Sequence, residues 1–204
     1  MYSKKTSLVM GFHGCDKSVR DAVVNGGDLK PSMNAYDWLG NGIYFWEGDP
    51  QRALEWAQQL SMRKGSSVKE PAVIGAVIDL GNCLDFTNRR SIFLLQHGYE
   101  YLKKFRQRNG MEMPRNTNVG NNTDLLRREL DCAVIQAIHS SLAKEAGSKM
   151  APFDSVRGLF FEGAAVYEGA CFREQTHTQL CIINPNCIKG YFLPRERDEA
   201  FNLP

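Results

Sequence analysis

The chain has 204 residues, with 25 Lys+Arg against 23 Asp+Glu for a formal net charge of +2, and is 43% hydrophobic with 10% aromatics. This describes one domain over 1–204, large enough to bury a core without disulfide or metal staples, and it excludes disorder, collagen and coiled coil. The longest apolar runs, Ala72 to Ile78 and Ala133 to Ile138, fall far short of the ~20 residues that cross a bilayer, so no membrane partner is expected.

In chain order, Met1 to Met10 carries too short an apolar run for a secretory leader. Ser7 to Cys15 reads as a buried strand. Asp16 then caps a short helix bearing Val19, Ala22 and Val23, and Gly26-Gly27 ends it. Residues 30 to 41 form a loop of turn formers that is unusually aromatic, and such loops tend to touch something. Gly42 to Trp46 is a short strand. Asp49-Pro50 supplies the cap and first position of a helix over Gln51 to Arg63. Pro71 to Leu80 is β-branched and apolar on both faces, as in a central strand. A helix from Asn88 to Arg108, an Asn-rich loop from Asn109 to Thr123 and a second helix from Asp124 to Ala146 closed by Gly147 follow. Strands at Leu159 to Glu162, Gln179 to Ile183 and Cys187 to Leu193 precede a charged tail. Strands at both ends with helices between them give an α+β fold class.

The net charge hides an asymmetry. From Arg89 to Arg128 nine basic residues face three acids, a local +6, which leaves −4 for the rest. The six cysteines (Cys15, Cys83, Cys132, Cys171, Cys181, Cys187) lie far apart, without C-x-x-C and without histidine at ligand spacing. Reduced thiols, a cytoplasmic location and no metal are the expectation. Neither G-x-G-x-x-G nor a P-loop is present, which removes the signatures of Rossmann and P-loop nucleotide binding.

Three segments stand out. Gly11-Phe12-His13-Gly14-Cys15 puts a histidine and a ligand-permissive glycine on a buried strand. Gly40-Asn41-Gly42-Ile43-Tyr44-Phe45 puts two glycines ahead of a strand that opens on an aromatic. Thr176-His177-Thr178-Gln179 heads a late buried strand with polar residues. Taken singly, His13 also reads as a hydrogen-bonded core histidine, Tyr44 as strand packing and Gln179 as a strand-end cap.

Together, in this order and spacing, they resemble the diphtheria-toxin and poly(ADP-ribose) polymerase-like branch of the ADP-ribosyltransferase superfamily. The resemblance covers about residues 8 to 86 and 158 to 193 and implies a split β-sandwich with an NAD-binding cleft, interrupted by a helical, basic insert at about 88–150. The implied activity is mono-ADP-ribosylation: NAD⁺ is the substrate, nicotinamide leaves, and ADP-ribose passes to a protein or nucleic-acid acceptor.

Residue by residue, the resemblance implies that His13 orients the adenosine ribose, that Gly14 offers its backbone N–H and C=O to the nicotinamide amide, and that Tyr44 stacks on the nicotinamide ring. The family's late-strand Glu is replaced by Gln179, which keeps a hydrogen bond to the ribose but not the charge. Glu174, five residues earlier, is the alternative carboxylate. Lys30 falls where a basic residue faces the adenosine or pyrophosphate, and equally reads as a solvated lysine. Trp56 stands one position from the second stacking aromatic, which falls on Glu55, and Cys15 replaces a ribose-contacting hydroxyl.

The loop before the last catalytic strand, with Arg173 and His177, corresponds to the acceptor-recognition loop, where His177 is placed to take the acceptor's proton or is structural. His97 and His139 have no motif around them and read as non-catalytic. Small enzymes of this kind resemble toxins of toxin–antitoxin or phage-defence systems, which would imply an antitoxin or a reversing hydrolase as partner. A catalytically inactive module binding NAD⁺, ADP-ribose or RNA, and an NAD⁺ glycohydrolase, are the alternatives. The basic segment, interleaved with Tyr99, Tyr101 and Phe105, suits phosphate neutralisation with base stacking and equally suits two helices with solvated faces.

Overall fold

The computed structural model describes residues 8–118, 125–144, 153–196 and 200. It is α+β. The strands β1 (Val9–Asp16), β2 (Ile43–Glu47), β3 (Pro71–Ile78), β4 (Cys83–Asp85), β7 (Ser155–Phe160), β8 (His177–Ile182) and β9 (Ile188–Phe192) form one seven-stranded sheet in the order β4-β7-β8-β2-β1-β3-β9. All its pairings are antiparallel except β4 with β7. A separate two-stranded ribbon joins β5 (Asn116–Thr117) to β6 (Arg127–Arg128). The helices are α1 (Lys17–Val24), α2 (Pro50–Ser61), α3 (Arg89–Arg108) and α4 (Glu129–Lys144).

Local chemistry explains the helix ends. The side chains of Asp16, Asp49 and Asn88 accept from Ser18, Arg52 and Arg90 backbone N–H groups, each capping the helix that follows. The helix expected from Asp124 starts at Glu129, because Arg127 and Arg128 are drawn into the ribbon and Asn116 Oδ1 takes the first free N–H groups, of Leu130 and Asp131. The strand expected at Leu159 begins earlier, at Ser155, where β4 supplies a parallel partner. Gly147, residues 119–123 of the loop and most of the tail lie outside the described residues.

One seam organises the sheet. β1 pairs with β3 along all eight of its residues, from Val9↔Ile78 to Asp16↔Pro71. With β2 it pairs at only two positions, Gly11↔Glu47 and Phe12↔Trp46. β2 is in turn zipped to β8 from Ile43 to Trp46. The sheet is therefore two blocks, β1-β3-β9 and β2-β8-β7-β4, that part beyond Phe12. Ser32 helps to keep them apart: it exchanges both backbone hydrogen bonds with Gly42 and occupies the β2 edge there.

Both faces are covered. On one, Val23 of α1 and Leu29 close over Ile43, Phe45, Ile74, Ile78, Leu180 and Ile182. Each large side chain fully buried there contributes roughly 1.5–3 kcal/mol. The other face is shared by two helices. α2 packs Ala53 and Trp56 against Phe12, Trp46, Val73 and Phe192, while α4 packs Ile135 and Ile138 against Leu39, Leu84, Val156 and Cys181. α3 lies on α4 through Leu102, Val134 and Ala137. The helical middle of the chain is thus a covering layer of the sheet.

Gly14 shows how closely α2 sits. A Cβ there would lie 2.0 Å from the Ala53 carbonyl oxygen. Gly14→Ala is expected to push α2 off the sheet and to destabilise the fold by about 1–3 kcal/mol, as overpacking does. Urea unfolding measures this, and an unchanged midpoint would contradict the packing.

Candidate functional site at the strand split

Beyond the seam, β1 and β2 line a rift, with His13, Gly14 and Tyr44 along it and Gln179 one strand further, on β8. Met10 C=O accepts from Gly48 N–H, so the even-numbered residues of β1 turn their backbone edges toward β2. By that alternation Gly14 presents its N–H and C=O to the rift, past the last β1–β2 pair. The side-chain face of Gly14 belongs to α2 and its edge belongs to the rift.

His13 bridges the rift. Its Nδ1 lies 2.7 Å from the Tyr44 carbonyl oxygen. A carbonyl only accepts, so Nδ1 carries a proton, and in the neutral ring Nε2 keeps a lone pair. Burial lowers the His13 pKa against a smaller opposing effect of that hydrogen bond, which favours the neutral ring. The ring rests edge-on against Phe45, 5.9 Å between centroids.

Tyr44 faces the α4 side of β2. Its hydroxyl donates to Gly40 C=O at 2.8 Å and accepts from Leu39 N–H at 3.0 Å. Burial pushes its pKa well above the ordinary phenol value. These two bonds pin the Gly40 turn, where φ is +85° and glycine is required.

Gln179 lies on β8, opposite Trp46 of β2 and Gly158 of β7. Strand alternation puts it on the face that Tyr44 shares. Trp38 Nε1–H donates to Gln179 Oε1 at 2.5 Å. Trp38 can lie there because Gly158 has no side chain: a Cβ would fall 2.6 Å from the indole. Trp38 is the partner that sequence reasoning missed, and its signal was the aromatic loop.

Around Gln179 an aromatic strip fills the gap between α2 and α4. Phe160 stacks on His177 at 5.5 Å and leans on Trp38 at 5.0 Å, and Trp46 lies 6.0 Å from His177. Arg128 returns from the ribbon to sit 4.3 Å above Phe160 and 5.5 Å above Trp38. At the α2 end Arg52, only 4% exposed, pairs with Glu162 at 2.7 Å and lies 5.9 Å above Trp46. Trp46 Nε1, Arg52 Nε and Nη1, Thr176 Oγ1 and His177 Nε2 are buried without a partner among the described residues.

The remaining candidates separate from this centre. Trp56 packs on Trp46 at 6.0 Å, away from Tyr44. Lys30 is exposed, two residues before Ser32. In the 163–176 loop, closed by an Ala165↔Arg173 bridge, Glu174 is exposed and its carboxylate has no hydrogen-bond partner among the described residues. Arg173 donates to Gly163 C=O. His177 is buried, with Nδ1–H donated to Gln175 C=O at 2.6 Å, so in this arrangement it faces the aromatic strip and not an incoming acceptor.

Burial lowers the pKa of His13, His139 and His177 alike. Unfolding lets each take up a proton near its ordinary pKa of ~6.5, so the unfolded chain binds more protons below that value. Stability is therefore full above pH ~6.5 and falls as the pH drops below it. Thermal unfolding between about pH 7.5 and 5.5 should show a falling midpoint, and a flat profile would mean the histidines are solvated.

All six cysteines are free thiols. Among the described residues no group of acidic, His and Cys side chains is arranged for a metal, and no helix is long and apolar enough to cross a membrane. No protein-family model matches the chain, and no solved structure matches it. An uncharacterized protein of Methanocaldococcus jannaschii is 24% identical over 194 residues, spanning 87% of this chain and 83% of that protein.

Proposed function

We propose that the chain is an NAD⁺-dependent mono-ADP-ribosyltransferase of the diphtheria-toxin and poly(ADP-ribose) polymerase-like kind, with its donor cleft at the split between β1 and β2. The observation that carries this reading is the split itself: Gly14's backbone edge faces a rift spanned by His13, with Tyr44 opposite and Gln179 on the next strand. A primary amide such as nicotinamide's needs one acceptor and one donor side by side, which a free strand edge provides. The neutral His13, its Nδ1 proton committed to Tyr44, offers Nε2 as an acceptor for a ribose hydroxyl.

In the reaction the bond from ribose C1″ to the pyridinium nitrogen breaks, and its electron pair leaves with neutral nicotinamide. A lone pair of the acceptor atom forms the new bond to C1″, and the acceptor's proton passes to water. Gln179 supplies a fixed dipole near the developing cation. It is weaker than a carboxylate, a replacement that in the resembled family goes with single transfer and not chain elongation.

Incubation with adenine-labelled NAD⁺ is expected to release nicotinamide and to label a macromolecule, and Gln179→Ala to lower both by about 10²-fold, the scale of losing one electrostatic contact. Full labelling by that variant would remove Gln179 from the site. A second reading, a module that binds NAD⁺ or ADP-ribose without turnover, is favoured by one observation: Gln179 Oε1 is already taken by Trp38. Saturable NAD⁺ binding with no nicotinamide release would select it.

A further inference from the structure

We propose that the acceptor is a single-stranded nucleic acid, carried past Gln179 by the arginines of the β5–β6 ribbon and the aromatic rings beneath them; this rests on the transferase reading above. The basic segment is distant from the motifs in sequence but not in space. Arg128 lies over Phe160 and Trp38, and Trp38 holds Gln179. Next to it Arg127 lies 5.5 Å above Tyr36, a ring 45% exposed. Arg115, beside the opposite strand of the ribbon, is exposed and has no ion pair among the described residues.

From Tyr36 the surface continues into a cleft of about 600 Å³ between the 33–41 loop and the two long helices. Asn34, Asn41, Gln136 and Arg106 give it hydrogen-bonding groups, while Tyr101 and Phe105 give it flat apolar ones. Cations spaced along a groove with intervening ring faces match a phosphate backbone whose bases are unpaired and free to stack. A duplex hides its base faces and would leave Tyr36 and the cleft without partners.

Two carboxylates compete for these arginines: Glu129 pairs with Arg127 at 2.6 Å and Asp131 with Arg128 at 3.6 Å. Both pairs are partly exposed. Such pairs contribute little and exchange readily for a phosphate, which also releases counterions.

The test is anisotropy of labelled, mixed-sequence strands of ~20 nucleotides, as single-stranded RNA, single-stranded DNA and duplex DNA, with the full chain and no NAD⁺. Single strands should bind more tightly than duplex, and the RNA and DNA arms name the sugar preferred. Arg127→Gln/Arg128→Gln should weaken binding about tenfold or more near ~50 mM salt and lower the salt slope by about 1.4, the share of two phosphates on a single strand. Tyr36→Ala, at an exposed ring, should weaken it about fivefold or more through lost stacking.

Absence of binding, equal binding of duplex, or affinity unchanged in both variants would overturn the proposal. So would label from NAD⁺ accumulating on polypeptide with nucleic acid untouched, an outcome that leaves the transferase reading standing. Binding without any nicotinamide release would instead strike the transferase reading, and with it the role of this surface as an acceptor site.

Discussion

His13→Ala should lower nicotinamide release from NAD⁺ by about 10²-fold or more while the protein remains folded. Two losses combine. The Nε2 acceptor for the ribose disappears, and the Tyr44 carbonyl, which takes the Nδ1 proton at 2.7 Å, is left without that donor. The second loss lets β1 and β2 shift across a rift whose nearest backbone pair is Phe12↔Trp46, and a misplacement of ~1 Å in a reacting pair is enough for such a factor. The stability change is of similar size, about 1–3 kcal/mol for one part-buried acceptor left unsatisfied. Initial rates taken well below the unfolding midpoint, beside a urea curve, separate the two effects. Turnover within a few-fold of wild type would mean that the rift is not where NAD⁺ sits.

How far the sequence discloses this candidate site depends on the range of each interaction. His13, Tyr44 and Gln179 stand out through the resemblance of their three motifs to a known family, each motif being local in sequence, and the adjacent strands β1, β2 and β8 then carry them side by side. The basic segment also announces itself in composition, but its role depends on where the ribbon folds. Arg127 and Arg128 look like the start of a solvated helix until Asn116 caps α4 and draws them across to Tyr36 and Trp38. Trp38 and Gln179, 141 residues apart, meet only because Gly158 leaves room between them, a fact written on a third strand.

The same range limit hides β4, whose three residues gain strand geometry from a parallel partner about seventy positions away. It also hides the core role of α4. Its apolar spacing predicts an amphipathic helix, but not that Ile135 and Ile138 would seal one half of the sheet.

Arg52 is the residue whose chain position says least about its burden, and Arg52→Ala is expected to destabilise the protein by about 3–5 kcal/mol, because it strands the Glu162 carboxylate, 15% exposed, in the interior. The pair is not ideal. Arg52 Nε and Nη1 have no acceptor among the described residues, and Trp46 Nε1 beside them has none either. An ion pair repays its desolvation only when the leftover protons are also satisfied. Replacing both partners, Arg52→Met/Glu162→Leu, should therefore recover most of the single-variant loss and bring stability within about 1 kcal/mol of wild type.

The loop gives an independent readout. Glu162 C=O also receives Gln175 N–H at 3.0 Å, so the pair anchors the base of the 163–176 loop, which carries the exposed side chains of Tyr167, Phe172 and Glu174. Limited proteolysis should cut that loop faster in Arg52→Ala than in wild type under native conditions, since local opening requires only that the anchor be weakened. If the single variant loses less than ~1 kcal/mol, or the double variant loses as much as the single, the guanidinium is solvated and the pair is not what ties the 163–176 loop to α2.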